Sequence, residues 1–241
     1  MGTVVSFDVP GSARSDGSLD AAIRWLHWVD RVFSPYRTDS DVSRLARAEV
    51  TVDGCAPEMA EVIAACAFLR DLSGGYFTAS PGGRFDPSGY VKGWAVERAA
   101  ALLSRAGSAD HLVNGGGDVQ CAGGRGVGEP WRVGIADPLR PGRLAVVVEA
   151  RDCAVASSGT AERGPHIVDP HTGRPAAGLA SLTVIGPSLA LADAYATAAF
   201  AMGPSLARDW TNSLDGYDAY AITETGQTWQ TPGFARHISP T

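Results

Sequence analysis

Alternation and helical spacing of apolar residues divide the chain into recognisable elements. Residues 3 to 9 (TVVSFDV) alternate as a strand, and GSARSDGS then makes a polar turn. From Ser18, read as an N-cap, LDAAIRWLHWVDRVFS places Ala22, Trp25, Leu26, Val29 and Val32/Phe33 on one helical face, suited to packing on a sheet. Pro35 ends that helix, a short second one starts near Ser40, and Pro57 opens a third that closes at Gly74 or Gly75. A fourth helix runs from about Val91 to Ala106 with a Gly107 stop.

Beyond Gly107 the pattern changes to strands: HLVN, DVQCAG, WRVGIAD, LAVVVEA, CAVASS, HIVD and SLTVIG, separated by Gly/Pro turns. The helix SLALADAYATAAFAMG follows, then PSLARDWTNSL, a strand DAYAIT and a short tail. Helices and strands in blocks predict an α+β fold, with a mixed, largely antiparallel sheet packed with helices, rather than a βαβ alternation. There is no internal repeat and no linker able to divide the chain, so residues 1–241 are expected to form a single domain. GGRGVG, residues 123 to 128, lacks the order of a dinucleotide fingerprint and is read as a hairpin loop.

Charge narrows the partners. The formal net charge is -6 with no block of like charges, which argues against nucleic acid and anionic membrane surfaces. No run of about 18 apolar residues occurs, so membrane insertion is not expected. Cys55, Cys66, Cys121 and Cys153 are widely spaced, without zinc-ligand spacing, and read as free thiols. With no leader ahead of the first strand, a cytoplasmic location is expected.

Four clusters place polar groups where a plain core has none. In FDPSGYVKGWAVERAA, Asp86 lies in a turn and Lys92 in the first helical turn, where a bound anion or a solvated lysine both account for it. LVNGGGDVQ carries three consecutive glycines, suited to close backbone approach to a ligand or to a tight strand connection. His166 and Asp169 of HIVDP are three apart and point to opposite faces of a strand, so they form no dyad there; His166 alone is either structural or a proton acceptor facing a cleft. Asp193 and Thr197 share one face of an otherwise apolar helix, where a hard cation such as Mg²⁺ or a helix-capping role would occupy the carboxylate.

Taken in order, MGTVV at the start, FSPYRTDSDVSRL, GGYF, DPSGYVKGWAVERAAALL, LVNGGGDV, PWRVGIADP, AVASSG, HIVDPHTGRP and SLTVIGPSLALADAYATAAFAMG resemble the ApbE family of FAD:protein FMN transferases. The resemblance implies a reaction that moves FMN from FAD to a threonine hydroxyl of an acceptor flavoprotein and releases AMP. By motif it places Met1, Tyr36, Tyr76, Phe77, Thr78, Asp86, Lys92 and Ile167 at the FAD site. It assigns Mg²⁺ to the Gly89 carbonyl, Asp193 and Thr197, and makes His166 the group that assists deprotonation of the acceptor hydroxyl. Hydrolysis of FAD to FMN and AMP, or FAD binding without turnover, are the alternatives. The chain departs from the family pattern in two ways: Thr78 and the short ASPGGRF stand where an Asp and a longer segment are usual, and Ala196 replaces a frequent acidic residue; the leader common among exported members is not expected here.

Overall fold

A computed structural model describes residues 2–10, 17–161, 164 and 166–240. The helices among them are α1 Ser18–Phe33, α2 Asp41–Ala46, α3 Glu58–Leu72, α4 Ser88–Arg105, α5 Leu189–Met202 and α6 Pro204–Asn212. The strands are β1 Val5–Asp8, β2 His111–Gly115, β3 Asp118–Ala122, β4 Trp131–Ala136, β5 Leu144–Ala150, β6 Ala154–Gly159, β7 Val168–Asp169, β8 Arg174–Pro175, β9 Leu179–Gly186, β10 Asp218–Thr223 and β11 Thr228–Gln230. Seven strands form one sheet in the order β1-β2-β3-β6-β9-β10-β11, and every pairing in it is antiparallel.

Period-two alternation along the central strands feeds two cores. In β6 and β9, Ala154, Ala156, Leu182 and Val184 point to the layer containing α4 and α5, while Val155 and Ile185 point the other way. The second face is covered by the β4–β5 hairpin, whose Trp131, Ile135, Val148 and Ala150 pack with Cys121 and Phe234. α5 is buried nearly all round because it lies between α4, α6 and the sheet, which explains why its sequence is apolar on every face.

Four expectations change. The apolar face of α1 is buried as predicted, but its partner is α4 rather than a sheet: Trp25 and Phe33 meet Trp94 edge-on at 5.1 and 5.4 Å, and Trp25 Nε1 donates to the Ala95 carbonyl at 3.0 Å. Gly17, not Ser18, is the N-cap of α1. The 123 to 128 segment crosses between two sheets instead of joining a pair of hairpin strands, since β3 belongs to the large sheet and β4, among the described residues, pairs with β5. The tail also adds β11, paired with β10. The described cysteines are all free, as expected, and no helix among the described residues is long and apolar enough to cross a membrane.

Candidate functional site

α4 begins three residues before the predicted start. Asp86 Oδ1 accepts from the Ser88 N–H at 3.0 Å and from its hydroxyl, and Pro87 at the N-cap accepts from Tyr90 and Val91, both at 3.0 Å. Lys92 therefore lies in the second turn, too deep to serve as a ligand of the helix start, and its side chain turns inward. Its ammonium contacts Asp118 Oδ2 at the first residue of β3 and lies 3.3 Å from Asp193 Oδ1 in α5. The chain around Thr78 and ASPGGRF is short but closed, because the Asp86 N–H donates to the Ala79 carbonyl at 2.7 Å.

Close approach of two helices builds the other half. A Cβ on Gly93 would lie 2.9 Å from Asp193 Cβ and collide with the Leu189 carbonyl, so only glycine lets α4 and α5 meet at this depth. The contact brings the Gly93 N–H to Asp193 Oδ2, to which it donates at 3.0 Å. Ser188 performs the capping of α5, its hydroxyl accepting from Leu191 N at 3.3 Å, so Asp193 is not a cap.

One ammonium thus sits between two carboxylates that are 1% and 3% exposed. Burial pushes the Asp193 carboxyl well above the ordinary carboxylate range; Lys92 opposes this and the neighbouring Asp118 charge reinforces it. Burial alone would lower the Lys92 ammonium, but Asp193 and Asp118 outweigh it and hold the group charged. With both carboxylates ionised the cluster would carry one surplus negative charge in a place water reaches poorly, which a proton on Asp193 or a further cation would offset.

Hydroxyls surround it. Thr197, one turn beyond Asp193, lies with its Oγ1 3.3 Å from Ser158 Oγ; Ser157 Oγ is 2.7 Å from Thr183 Oγ1, and the Ser157 N–H donates to Asp118 Oδ1 at 2.9 Å. The glycine run makes a tight strand connection. Gly116 and Gly117, with φ of 64° and 95°, form the tight turn from β2 to β3, braced by the Gly117 N–H donating to Asn114 Oδ1 at 2.8 Å, and both glycines line the wall of a large cavity.

That cavity, of about 840 Å³, is lined by Tyr36, Tyr76, Thr78, Asp86, Gly89, Lys92, His166, Ile167, Asp193 and Thr197. Phe77 does not reach it: the ring is fully buried beneath Gly89, 3.4 Å from where a Cβ there would stand. Met1 lies outside the described residues. Tyr36 is exposed at the rim, and Tyr76 packs edge-on against His171 at 4.5 Å, with His171 Nε2 3.1 Å from the Gly74 carbonyl. His166 precedes β7, and its Nδ1 lies 3.0 Å from the Gly164 carbonyl. A carbonyl only accepts, so Nδ1 is the donor there and Nε2 is the ring nitrogen left to face a substrate. Asp169 accepts from the His171 N–H and the Thr172 hydroxyl at 2.9 Å each, in the turn that follows, and forms no dyad with His166.

Two parts of this wall were not identified from sequence. Asp118 lay inside a motif already singled out, with a carboxylate next to a glycine turn as the available signal. The β4–β5 hairpin, contributing Val133 to Ala136 and the turn up to Leu144, carries the PWRVGIADP motif, but nothing in that motif assigned it to the wall that Lys92 also lines, a placement that arises from sheet packing.

Comparison with known proteins places this arrangement in a group. A family model described as the ApbE family matches residues 1–83 and 78–221. The FAD:protein FMN transferase of Rhodobacter capsulatus is 31% identical over 237 residues, covering 92% of this chain and 42% of that protein. The enzyme of the same name from Escherichia coli K12 is 33% identical over 162 residues, covering 62% and 46%. The chain therefore spans under half the length of these two relatives. Among solved structures, the flavin transferase ApbE of Vibrio cholerae superposes with a TM-score of 0.87 at 23% identity, over 98% of this chain and 96% of that one. The ApbE protein of Thermotoga maritima gives 0.88 at 22% identity, over 99% and 97%. At these identities the structures establish the α+β fold, and the matches along the sequence establish the lineage: the chain belongs to the ApbE family.

Proposed function

We propose that the cavity binds FAD together with Mg²⁺ and transfers FMN to a threonine hydroxyl of an acceptor flavoprotein, releasing AMP. The observation that carries this reading is the buried group of Lys92, Asp118 and Asp193, with its surplus negative charge, at the wall of a cavity large enough for a dinucleotide. Relatives named FAD:protein FMN transferase support the substrate.

The donor set suits Mg²⁺. No cluster of three or more His, Cys, Asp or Glu able to hold a metal occurs among the described residues. Mg²⁺ is commonly held by one or two carboxylates with its remaining positions filled by water and substrate phosphate, rather than in an all-protein cage. Asp193, the Thr197 hydroxyl and the Gly89 carbonyl would hold it, and when bound it supplies charge neutralisation at the pyrophosphate. Lys92 adds positive charge on the same side, while Tyr36 and Tyr76 offer aromatic faces to planar rings. His166, through Nε2, accepts the proton as the threonine oxygen bonds to the FMN phosphorus and the bond from that phosphorus to the AMP phosphate oxygen breaks.

The test is incubation of the protein with FAD, Mg²⁺ and a candidate flavoprotein, followed by denaturing electrophoresis. A fluorescent acceptor band is expected, absent with Asp193→Ala; near-normal transfer by that variant overturns the metal assignment. FMN appearing catalytically without acceptor would show hydrolysis instead, and tight FAD binding indifferent to Mg²⁺ and to Asp193→Ala would show a binding protein.

A further inference from the structure

We propose that Asp118 is a positioning residue whose buried carboxylate holds the Lys92 ammonium, so that the charge of Asp193 stays available to a divalent cation. Lys92 and the cation are then rivals for one carboxylate, and Asp118 decides the contest. This rests on the reading of Asp193 as a cation ligand given above.

The geometry is asymmetric. Lys92 Nζ contacts Asp118 Oδ2 more closely than it does Asp193 Oδ1, which is 3.3 Å away. Asp118 is held firmly: its Oδ1 accepts from Ser157 N at 2.9 Å, and its backbone pairs with Gly115 immediately after the Gly116–Gly117 turn. Its Oδ2 is buried and, among the described residues, has no partner apart from Lys92. A fixed carboxylate with one unmet oxygen, facing a lysine on a flexible four-carbon stem, is an anchor for that lysine.

Charge counting gives the direction of each effect. With Asp118 present, the ammonium is neutralised there and Asp193 keeps its negative charge for a cation. With Asp118 uncharged, Lys92 pairs wholly with Asp193, the cluster becomes neutral, and an entering cation has to expel the ammonium. With Lys92 removed as well, one carboxylate remains and has no rival.

The experiment titrates Mn²⁺ alone into the full chain without FAD and reads affinity by calorimetry, with the fold of each variant checked by circular dichroism. Asp118→Asn should weaken binding by about tenfold or more. Adding Lys92→Gln to that variant should restore affinity to within a few-fold of the original protein. A merely structural role for Asp118 predicts no restoration. Asp118→Asn binding as the unaltered protein does, or a double variant no tighter than Asp118→Asn, overturns the proposal. If Asp118→Asn does not fold, Lys92→Gln alone decides: tighter Mn²⁺ binding is expected, and equal or weaker binding overturns it. The underlying reading is judged separately, failing if the unaltered protein binds no Mn²⁺ or if Asp193→Asn binds it equally well.

Discussion

Gly93→Ala tests the close meeting of α4 and α5 on which the site depends. Alanine in place of an interior helical glycine ordinarily stabilises by about 1 kcal/mol. Here the new Cβ would stand 2.9 Å from Asp193 Cβ and 3.0 Å from the Leu189 carbonyl carbon, distances a packed interior does not tolerate. Pushing two buried helices apart costs about 1–3 kcal/mol. Losing the 3.0 Å bond from the Gly93 N–H to the Asp193 carboxylate costs about 1.5–3 kcal/mol more, as is typical for a hydrogen bond to a charged group. Subtracting the propensity gain leaves a loss of about 1.5–5 kcal/mol, centred near 3. For a chain of this size that centre corresponds to a Tm lower by about 6–12 °C, readable by calorimetry. Divalent-cation binding should fall with it, because Asp193 loses its backbone donor. A Tm raised by the alanine would refute the reasoning, since it would mean that nothing presses on Gly93.

Two further outcomes probe the scaffold. His111 is fully buried, and desolvation holds its ring below the ordinary histidine value; its contribution to stability is present above that value and lost as pH falls below it through the folded value, so urea midpoints should drop as pH falls below about 6.5. His111→Leu should flatten that slope, and an unchanged slope would assign the acid sensitivity elsewhere. Ser188→Ala removes the N-cap of α5, with its 3.3 Å bond from Leu191 N and its 2.7 Å bond to Glu97 Oε2, and should lower the urea midpoint by the equivalent of about 1 kcal/mol without changing m; an unmoved midpoint would show that Glu97, which also accepts from Ala190 N, suffices alone.

Element types were readable because periodicity records whether a face is buried; partners were not, because periodicity does not record what lies beneath. α1 shows this: Ala22, Val29 and Phe33 form a legible buried face, yet the tryptophan and phenylalanine contacts that place it on α4 join segments far apart in sequence. The segment 123 to 128 shows it again, since a glycine-rich connection between two strands looks alike whether the strands pair or separate into different sheets. The start of α4 was missed for a local reason. Asp-Pro-Ser-Gly has turn composition, but an aspartate side chain bonded to Ser88 with proline at the N-cap starts a helix as readily.

Lys92 joins these cases to the site. One turn of error in the helix start placed it at the helix mouth, where a lysine invites an anionic ligand as its explanation. Moved to the second turn, the same residue meets two carboxylates from β3 and α5, and the explanation becomes internal: its charge first answers Asp118 and Asp193. One ammonium cannot neutralise both carboxylates when both are ionised, and on the proposed reading the remaining charge is met by a cation rather than by the lysine. A pyrophosphate entering the cavity would then meet a positive site made of lysine and cation together, which a lysine on the first turn could not have built alone.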